Sequence, residues 1–552
     1  MKINLKKIPK KIFYWLVLII YDLLVKVVHS DRKTLPKRFV RDLYEVYPSP
    51  DLIGPLTKIV MPYVEVDSFN RHDLNRPYEV LHIDLLKPDT FSKIQLLPTC
   101  DFILPIALLD KSGDDDNPKS IQLNQGDKNT SIYLKFKNRF HYLPIKAKTE
   151  INSISIKSTH DLIAIGAPIY RDISLNLNKP KLIVHIFVDA LSQILIDSCA
   201  EDIMPATKSF FDDGITFTNA YSQADWTLSS MSGVFTGKYT KDHLIYHPRN
   251  GDRIKDLTLA EVLSDSGYKT SLISAVPKLT PVNGFDKGFS RCVVAPFKDA
   301  NYIINEAIEQ LDAFGGNQYL FLGLFDVHES YTLQPISSQV KNRVSDFNYK
   351  SINSSKNLTK LYDGERLAMC ANTLTHLDSK LERLFDKIKD YDKDAVVLLH
   401  SDHGVDFITK NSQRLSNERE KVALMIKGGN LGPVNNKEIR EIRSVPSMIL
   451  AASNIKDKMK YVKPSFTITE SLYPNQEYEL AIRDNRHVLF FQVPWTDLYK
   501  RQISDYQYRA TLHNVNNELE EIEDTESFKT MLGVAKAHYS ELINNLIAFE
   551  SH

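Results

Sequence analysis

The stretch KPKLIVHIFVDA, residues 179–190, decides the fold. A Lys-Pro pair punctuates the chain, and a continuous apolar run from Leu182 to Val188 then stops at Asp189. An apolar run without alternation suits a strand covered on both faces, as in a parallel sheet. Two more runs of this kind follow: Phe321 to Phe325, ending at Asp326, and Val396 to Leu399, ending near Asp402. Helical and strand patterns alternate between them, which predicts a doubly wound α/β domain. Such sheets bind ligands beyond the carboxyl ends of their strands. Asp189, Asp326 and Asp402 all sit at such ends.

Between the first two runs lies PATKSFFDDGITFTNAYSQADWTLSSMSGVFTGKY, residues 205–239. Thr227 is placed to open a helix, with Ser229 and Ser230 as rival hydroxyls close behind. The stretch resembles the nucleophile region of sulfatases and their phosphohydrolase relatives in the alkaline phosphatase superfamily. Phe217 to Tyr221 fill that family's "F-t-n-a-Y", and Thr236, Gly237, Lys238 and Tyr239 fill "T-G-x-Y". The first residue of the "C-x-P-S-R" box falls on Thr227. Further on, LSDSGYKTSLISAVPKLTPVNGFDKGF (263–289), LHSDHG (399–404), 444–455 and 512–524 resemble later family segments. The resemblance spans about residues 180 to 530.

The resemblance implies one divalent cation (Mn2+, Mg2+, Zn2+ or Ca2+) held by Asp189, Thr227, Asp402 and His403. Two carboxylates, an imidazole and a hydroxyl form a donor set that such a cation accepts. It also implies that Thr227 is the nucleophile and that its phosphorylated form would meet a positive helix N-terminus. His328, in LFDVHESY, resembles the family's "D-x-H-x-P-Y" turn, which implies substrate contact and a general-acid role. Asp326 and His328 could instead begin a second metal site. The His expected four residues after Asp326 is Ser330 here, and His487, read as part of an edge strand, does not supply the further ligand. One metal is therefore expected. Arg414 stands where the family keeps a basic substrate-binding residue.

The departures bear on the reaction. A sulfatase needs Cys or Ser at the nucleophile position for conversion to formylglycine, and Thr227 cannot be converted. The second Asp of the first motif is Ala190, the Arg of the box is Met231, and the usual sulfate-site Lys and His fall near Ala275 and Pro277. These changes favour phosphoryl chemistry over sulfate-ester hydrolysis. The expected activity is a metal-dependent phosphotransferase or phosphodiesterase working through a phosphothreonine at Thr227. Its partners would be a phosphodiester donor and a glycan or lipid-linked acceptor of a cell envelope. The alternatives are a sulfatase or phosphomonoesterase, and a non-catalytic binding protein on the same scaffold.

The rest of the chain sets the frame. It has 552 residues, room for several domains, with Lys plus Arg equal to Asp plus Glu at 69 each, which gives no sign of a nucleic-acid partner. Its four cysteines are far apart and read as buried thiols. Five lysines between Lys2 and Lys11 precede an apolar run from Ile12 to Tyr21. Ten apolar residues fall short of the roughly 20 that span a bilayer, so residues 1–30 read as a basic helix lying on a membrane surface. The body would then be peripheral to the cytoplasmic face of a bacterial membrane, or outside it on a signal anchor. Alternation in Ile132–Lys137 and in SISIKS (153–158) marks residues 31–178 as a β-rich, sandwich-like accessory domain. The acidic turn SGDDDNP (112–118) lacks calcium-loop spacing. The catalytic α/β domain is expected over 179–455, and a small C-terminal α+β subdomain over 456–552.

Overall fold

The computed structural model describes strand segments between residues 59 and 170, then residues 179–198, 203–246, 253–328, 364–405, 413–429, 431–472, 477–494, 497, 505 and 507–550. The N-terminal segment 1–30, the acidic turn at 112–118, Ser330, Cys100 and Cys199 lie outside the described residues. Cys292 and Cys370 are buried, as expected of these thiols. Among the described residues no helix is long and apolar enough to cross a membrane.

A ten-stranded mixed sheet forms the centre. Its strands are β1 (Ile59–Met61), β2 (Tyr78–Leu81), β3 (Leu182–Val188), β4 (Ile215–Phe217), β5 (Lys269–Ser274), β6 (Arg291–Val294), β7 (Gln318–Leu324), β8 (Val396–His400), β9 (Leu424–Lys427) and β10 (Val434–Asn436). The spatial order is β1-β2-β6-β5-β7-β3-β8-β9-β4-β10. The run β6-β5-β7-β3-β8 is parallel throughout. Both flanks of this run turn antiparallel, at β2 and at β9. Every residue of β3, β7 and β8 is buried, as their largely apolar sequences require of strands with both faces covered.

Helices supply the cover. Helix α1 (Gln193–Ser198) follows β3, α2 (Pro205–Phe211) precedes β4, and α3 (Thr227–Thr236) follows the loop beyond β4. Helices α4 (Leu259–Asp265), α5 (Ala300–Ala313) and α6 (Gly364–Tyr391) complete the layers. Phe210 of α2 stacks on Phe385 of α6 at 4.0 Å between centroids, and Phe235 of α3 meets Phe321 of β7 edge-on. The α/β sheet expected from the alternating pattern is therefore present.

The β-rich region is a sandwich. One sheet pairs Leu85–Asp89, Phe102–Leu109, His141–Ile145, Leu162–Gly166 and Ile169–Tyr170; the other pairs Phe91–Gln95, Lys119–Gln125, Lys128–Leu134 and Ser153–Ser158. Phe102, Leu104 and Ile106 of the first share a core with Ile121 and Ile156 of the second. The region also gives two strands away: β1 and β2 extend the central sheet through β6.

The C-terminal unit is a five-stranded antiparallel sheet of β11 (Thr467–Ser471), β12 (Tyr478–Arg483), β13 (His487–Val493), β14 (Arg509–Asn514) and β15 (Asn517–Glu521), in that order. Helix α7 (Thr525–Glu550) covers it, with Met531, Tyr539 and Leu542 set among Leu480, Leu489 and Phe491. His487 therefore opens the central strand of this sheet, where an edge strand was expected. Its Nδ1 lies 3.2 Å from Asp484 and its Nε2 3.7 Å from Asp524, which commits it to a local ion-pair site.

Near this unit His243 has a buried imidazole whose Nδ1 accepts a hydrogen bond from the Ile245 N–H at 3.0 Å. Burial pushes its pKa down to about 4, opposed by Glu470 and Asp242. Between pH 6.5 and 4 the unfolded chain binds a proton that the folded chain refuses, so stability falls as pH falls through that window. The expected difference between wild type and His243→Gln changes by on the order of 2–3 kcal/mol across it. Urea melts at several pH values check this; parallel stability–pH curves would refute it.

Candidate active site

Three carboxyl ends of the parallel strands deliver the site. The chain leaves β3 at Asp189 and turns at once through Ala190, which adopts a left-handed φ of 63° that costs an L-residue roughly 1 kcal/mol. The turn aims the Ala190 N–H at Asp402 Oδ1, 3.1 Å away beyond the end of β8. The same oxygen also accepts from the His403 N–H at 2.9 Å and faces Ser401 Oγ at 3.4 Å. One oxygen of Asp402 is thus saturated, and the other is left free to face Asp189 and His403. Gly404 closes the turn where a Cβ would come within 2.5 Å of the Glu418 carbonyl and 2.9 Å of Ser192 Cβ, so no larger residue fits without movement.

His403 donates from Nδ1 to the Gly404 carbonyl at 2.8 Å. A carbonyl only accepts, so Nδ1 carries a proton, and in the neutral imidazole Nε2 is then the nitrogen with the lone pair. That Nε2 lies 3.3 Å from Asp402 Oδ2, 3.9 Å from Asp189 Oδ1 and 3.4 Å from Thr227 Oγ1. Both oxygens of Asp189, and Oδ2 of Asp402, are buried without a hydrogen-bond partner among the described residues. One ligand atom each from Asp189, Asp402 and His403 falls within 4.8 Å of the others.

Burial and then the Asp402 charge hold the Asp189 carboxyl well above its ordinary range, with the nearby Thr227 hydroxyl opposing. Orphaned carboxylate oxygens and an imidazole lone pair that converge in a buried space repel one another unless a cation lies between them. The residues therefore fit a divalent cation. When bound, such a cation supplies the positive charge that offsets the carboxylates and favours the alkoxide form of a neighbouring hydroxyl.

Thr227 is the first residue of α3, as its type and position predicted. The rival hydroxyls are committed elsewhere: Ser229 Oγ donates to the Ile245 carbonyl at 3.0 Å and Ser230 Oγ to the Asp402 carbonyl at 2.9 Å. Thr227, by contrast, presents its hydroxyl to His403 Nε2 and to Asp189. The loop before it is held by β11. The Glu470 N–H donates to the Gln223 carbonyl at 3.1 Å, the Asp225 N–H donates to the Glu470 carbonyl at 3.3 Å, and Thr469 Oγ1 donates to the Ser222 carbonyl at 2.6 Å.

The remaining sequence candidates divide. The His328 ring stacks on Phe325 and lies 6.4 Å from the His403 ring, centroid to centroid, at the rim of the site. Asp326 is turned away into the fold: its Oδ1 accepts from the Ala300 N–H at 3.1 Å and lies 3.5 Å from Lys380 Nζ. A second metal at Asp326 and His328 finds no support in that arrangement. Arg414 donates from Nε to Asp225 Oδ2 at 2.8 Å, two residues before Thr227. Lys278, four residues beyond β5 and next to the sequence slots of Ala275 and Pro277, is largely buried, and burial pushes its pKa down.

A family model described as Sulfatase matches residues 181–422. Among solved structures, a sulfatase from Bacteroides fragilis shares 14% identity, with 67% of this chain and 99% of that chain covered and a TM-score of 0.49. A 2-O GAG sulfatase shares 13% identity, covering 68% and 94%, with a TM-score of 0.48. A protein of the alkaline phosphatase superfamily from Vibrio parahaemolyticus shares 14% identity, covering 68% and 88%, with a TM-score of 0.46. A search of curated proteins finds no match. Residues 181–422, under half of the chain, thus match the sulfatase family in sequence, and they supply the parallel run of the mixed central sheet.

Proposed function

We propose that the chain is a hydrolase of a sulfate or phosphate ester, acting at a single divalent cation held by Asp189, Asp402, His403 and Thr227. The observation that carries this reading is the convergence of three unpartnered carboxylate oxygens and the His403 lone pair beside the Thr227 hydroxyl. Thr227, giving up its hydroxyl proton, would attack the sulfur or phosphorus as the ester oxygen departs with a proton from His328 at the rim; water would then displace the group from Thr227 and restore the hydroxyl. The match of residues 181–422 to the sulfatase family favours sulfate-ester hydrolysis.

A second reading rests on one specific residue. A threonine cannot become formylglycine, and its alkoxide is a competent nucleophile toward phosphorus. That favours a phosphodiester substrate, a phosphothreonine at Thr227, and passage of the group to water or to a glycan or lipid-linked acceptor. Residues 1–30 would hold the enzyme at the membrane where such an acceptor resides.

A panel of chromogenic sulfate esters, phosphomonoesters and phosphodiesters with one leaving group, assayed with added Mn2+, separates these readings. Turnover of at least one class is expected, and turnover of none would remove the enzymatic proposal. Faster sulfate-ester than diester turnover selects the first reading, and the reverse order selects the second.

A further inference from the structure

Resting on that reading of the site, we propose that Asp225 is a positioning residue: its buried carboxylate anchors Arg414 by Nε, so that the outer guanidinium nitrogens hold the oxygens of the group being transferred at Thr227. Trp226, between Asp225 and Thr227, is extended, with φ −156° and ψ 158°. Asp225 thus stands one extended step before Thr227, roughly 7 Å along the backbone, and whatever its carboxylate holds is kept in the neighbourhood of the nucleophile.

Asp225 has little other purpose for its charge. The residue is 0% exposed, and its Oδ2 accepts from Arg414 Nε and from Ser471 Oγ, each at 2.8 Å. Its backbone is fixed as well: the N–H donates to the Glu470 carbonyl, and its own carbonyl accepts from Arg419 Nη2 at 3.2 Å. Oδ1 has no hydrogen-bond partner among the described residues. A guanidinium has five N–H donors in a fixed fork. Among the described residues only Nε of Arg414 is engaged, which leaves four donors on Nη1 and Nη2 for a tetrahedral anion. Arg414 is 24% exposed in its side chain, so a ligand can reach it.

Glu479, at the start of β12, senses the same pair. Burial raises its carboxyl to about 7, with Arg414 opposing and Asp225 adding to the rise. The end of the C-terminal sheet thus stands against this clasp and forms the wall behind it. Ser471 and Glu479 are contributed by a unit that carries none of the metal-site residues.

The experiment measures inorganic phosphate binding by calorimetry on the full chain with Mn2+ present, alongside Mn2+ occupancy. Asp225→Asn and Arg414→Gln should each weaken phosphate by roughly 10- to 100-fold at unchanged occupancy, and the double variant should lose no more than either alone. Arg414→Lys should bind as poorly as Arg414→Gln, because one ammonium cannot serve both Asp225 and the anion. Should Asp225→Asn fail to fold, the two Arg414 variants decide. Wild-type phosphate affinity in Asp225→Asn or Arg414→Lys, additive losses in the double variant, or no phosphate binding by wild type would each overturn the proposal. The ester panel tests the hydrolase reading separately, so either idea can fail alone.

Discussion

Thr227→Ala should keep its fold and lose on the order of 10³-fold or more in turnover. The structural cost is small. Thr227 is the first residue of α3, whose N-cap is Trp226, and no side-chain capping bond is present to lose. The hydroxyl's contact with His403 Nε2, at 3.4 Å, is a long hydrogen bond. The functional cost is large because no neighbour can substitute. Ser229 is bound to Ile245 and Ser230 to Asp402, both away from Asp189. Steady-state kinetics on the best ester of the panel provide the readout. Near-normal activity in the variant, or a trapped covalent group on Ser229, would remove Thr227 from the role.

Asp189→Asn should reverse the metal dependence of stability. Without a cation the wild-type protein buries two carboxylates whose facing oxygens have no partner, and one partnerless buried charge costs several kcal/mol. After chelation the Asn variant should therefore be more stable than wild type, by roughly 2 kcal/mol or more. With Mn2+ at about a thousandfold over its dissociation constant, wild type should gain about 4 kcal/mol and the variant far less. Purified wild type should carry about one equivalent of metal, and Asp402→Ala and His403→Ala should carry much less. Undiminished occupancy in those two proteins, or equal chelator sensitivity of Asp189→Asn and wild type, would sink the assignment.

The strands that carry Asp189 and Asp402 were legible because burial on both faces leaves an unbroken apolar run, and the run stops where the backbone reaches the site. Thr227 was legible through its neighbours on the chain. The Asp225–Arg414 clasp was not, because its members are 189 residues apart and neither lies in a periodic pattern. Strands β1 and β2 were invisible for a different reason: three or four residues are too few to show a period, and only the exposed edge of β6 gives them a place. His487 was misread because alternation marks a strand but does not say how many neighbours it has.

The pairing of β11 with the loop before Thr227 also sets a schedule for the living chain. Glu470 and Thr469 follow Thr227 by roughly 240 residues. At about 5–20 residues per second, a ribosome makes the nucleophile some 10 to 50 s before it makes the strand that holds it in place. For most of that interval Asp402 and His403 are still unmade, and even when they appear the loop before Thr227 lacks the strand that holds it. Chains that stop short of residues 467–471 would be silent toward any ester they met, and competence would arrive only after that strand is translated.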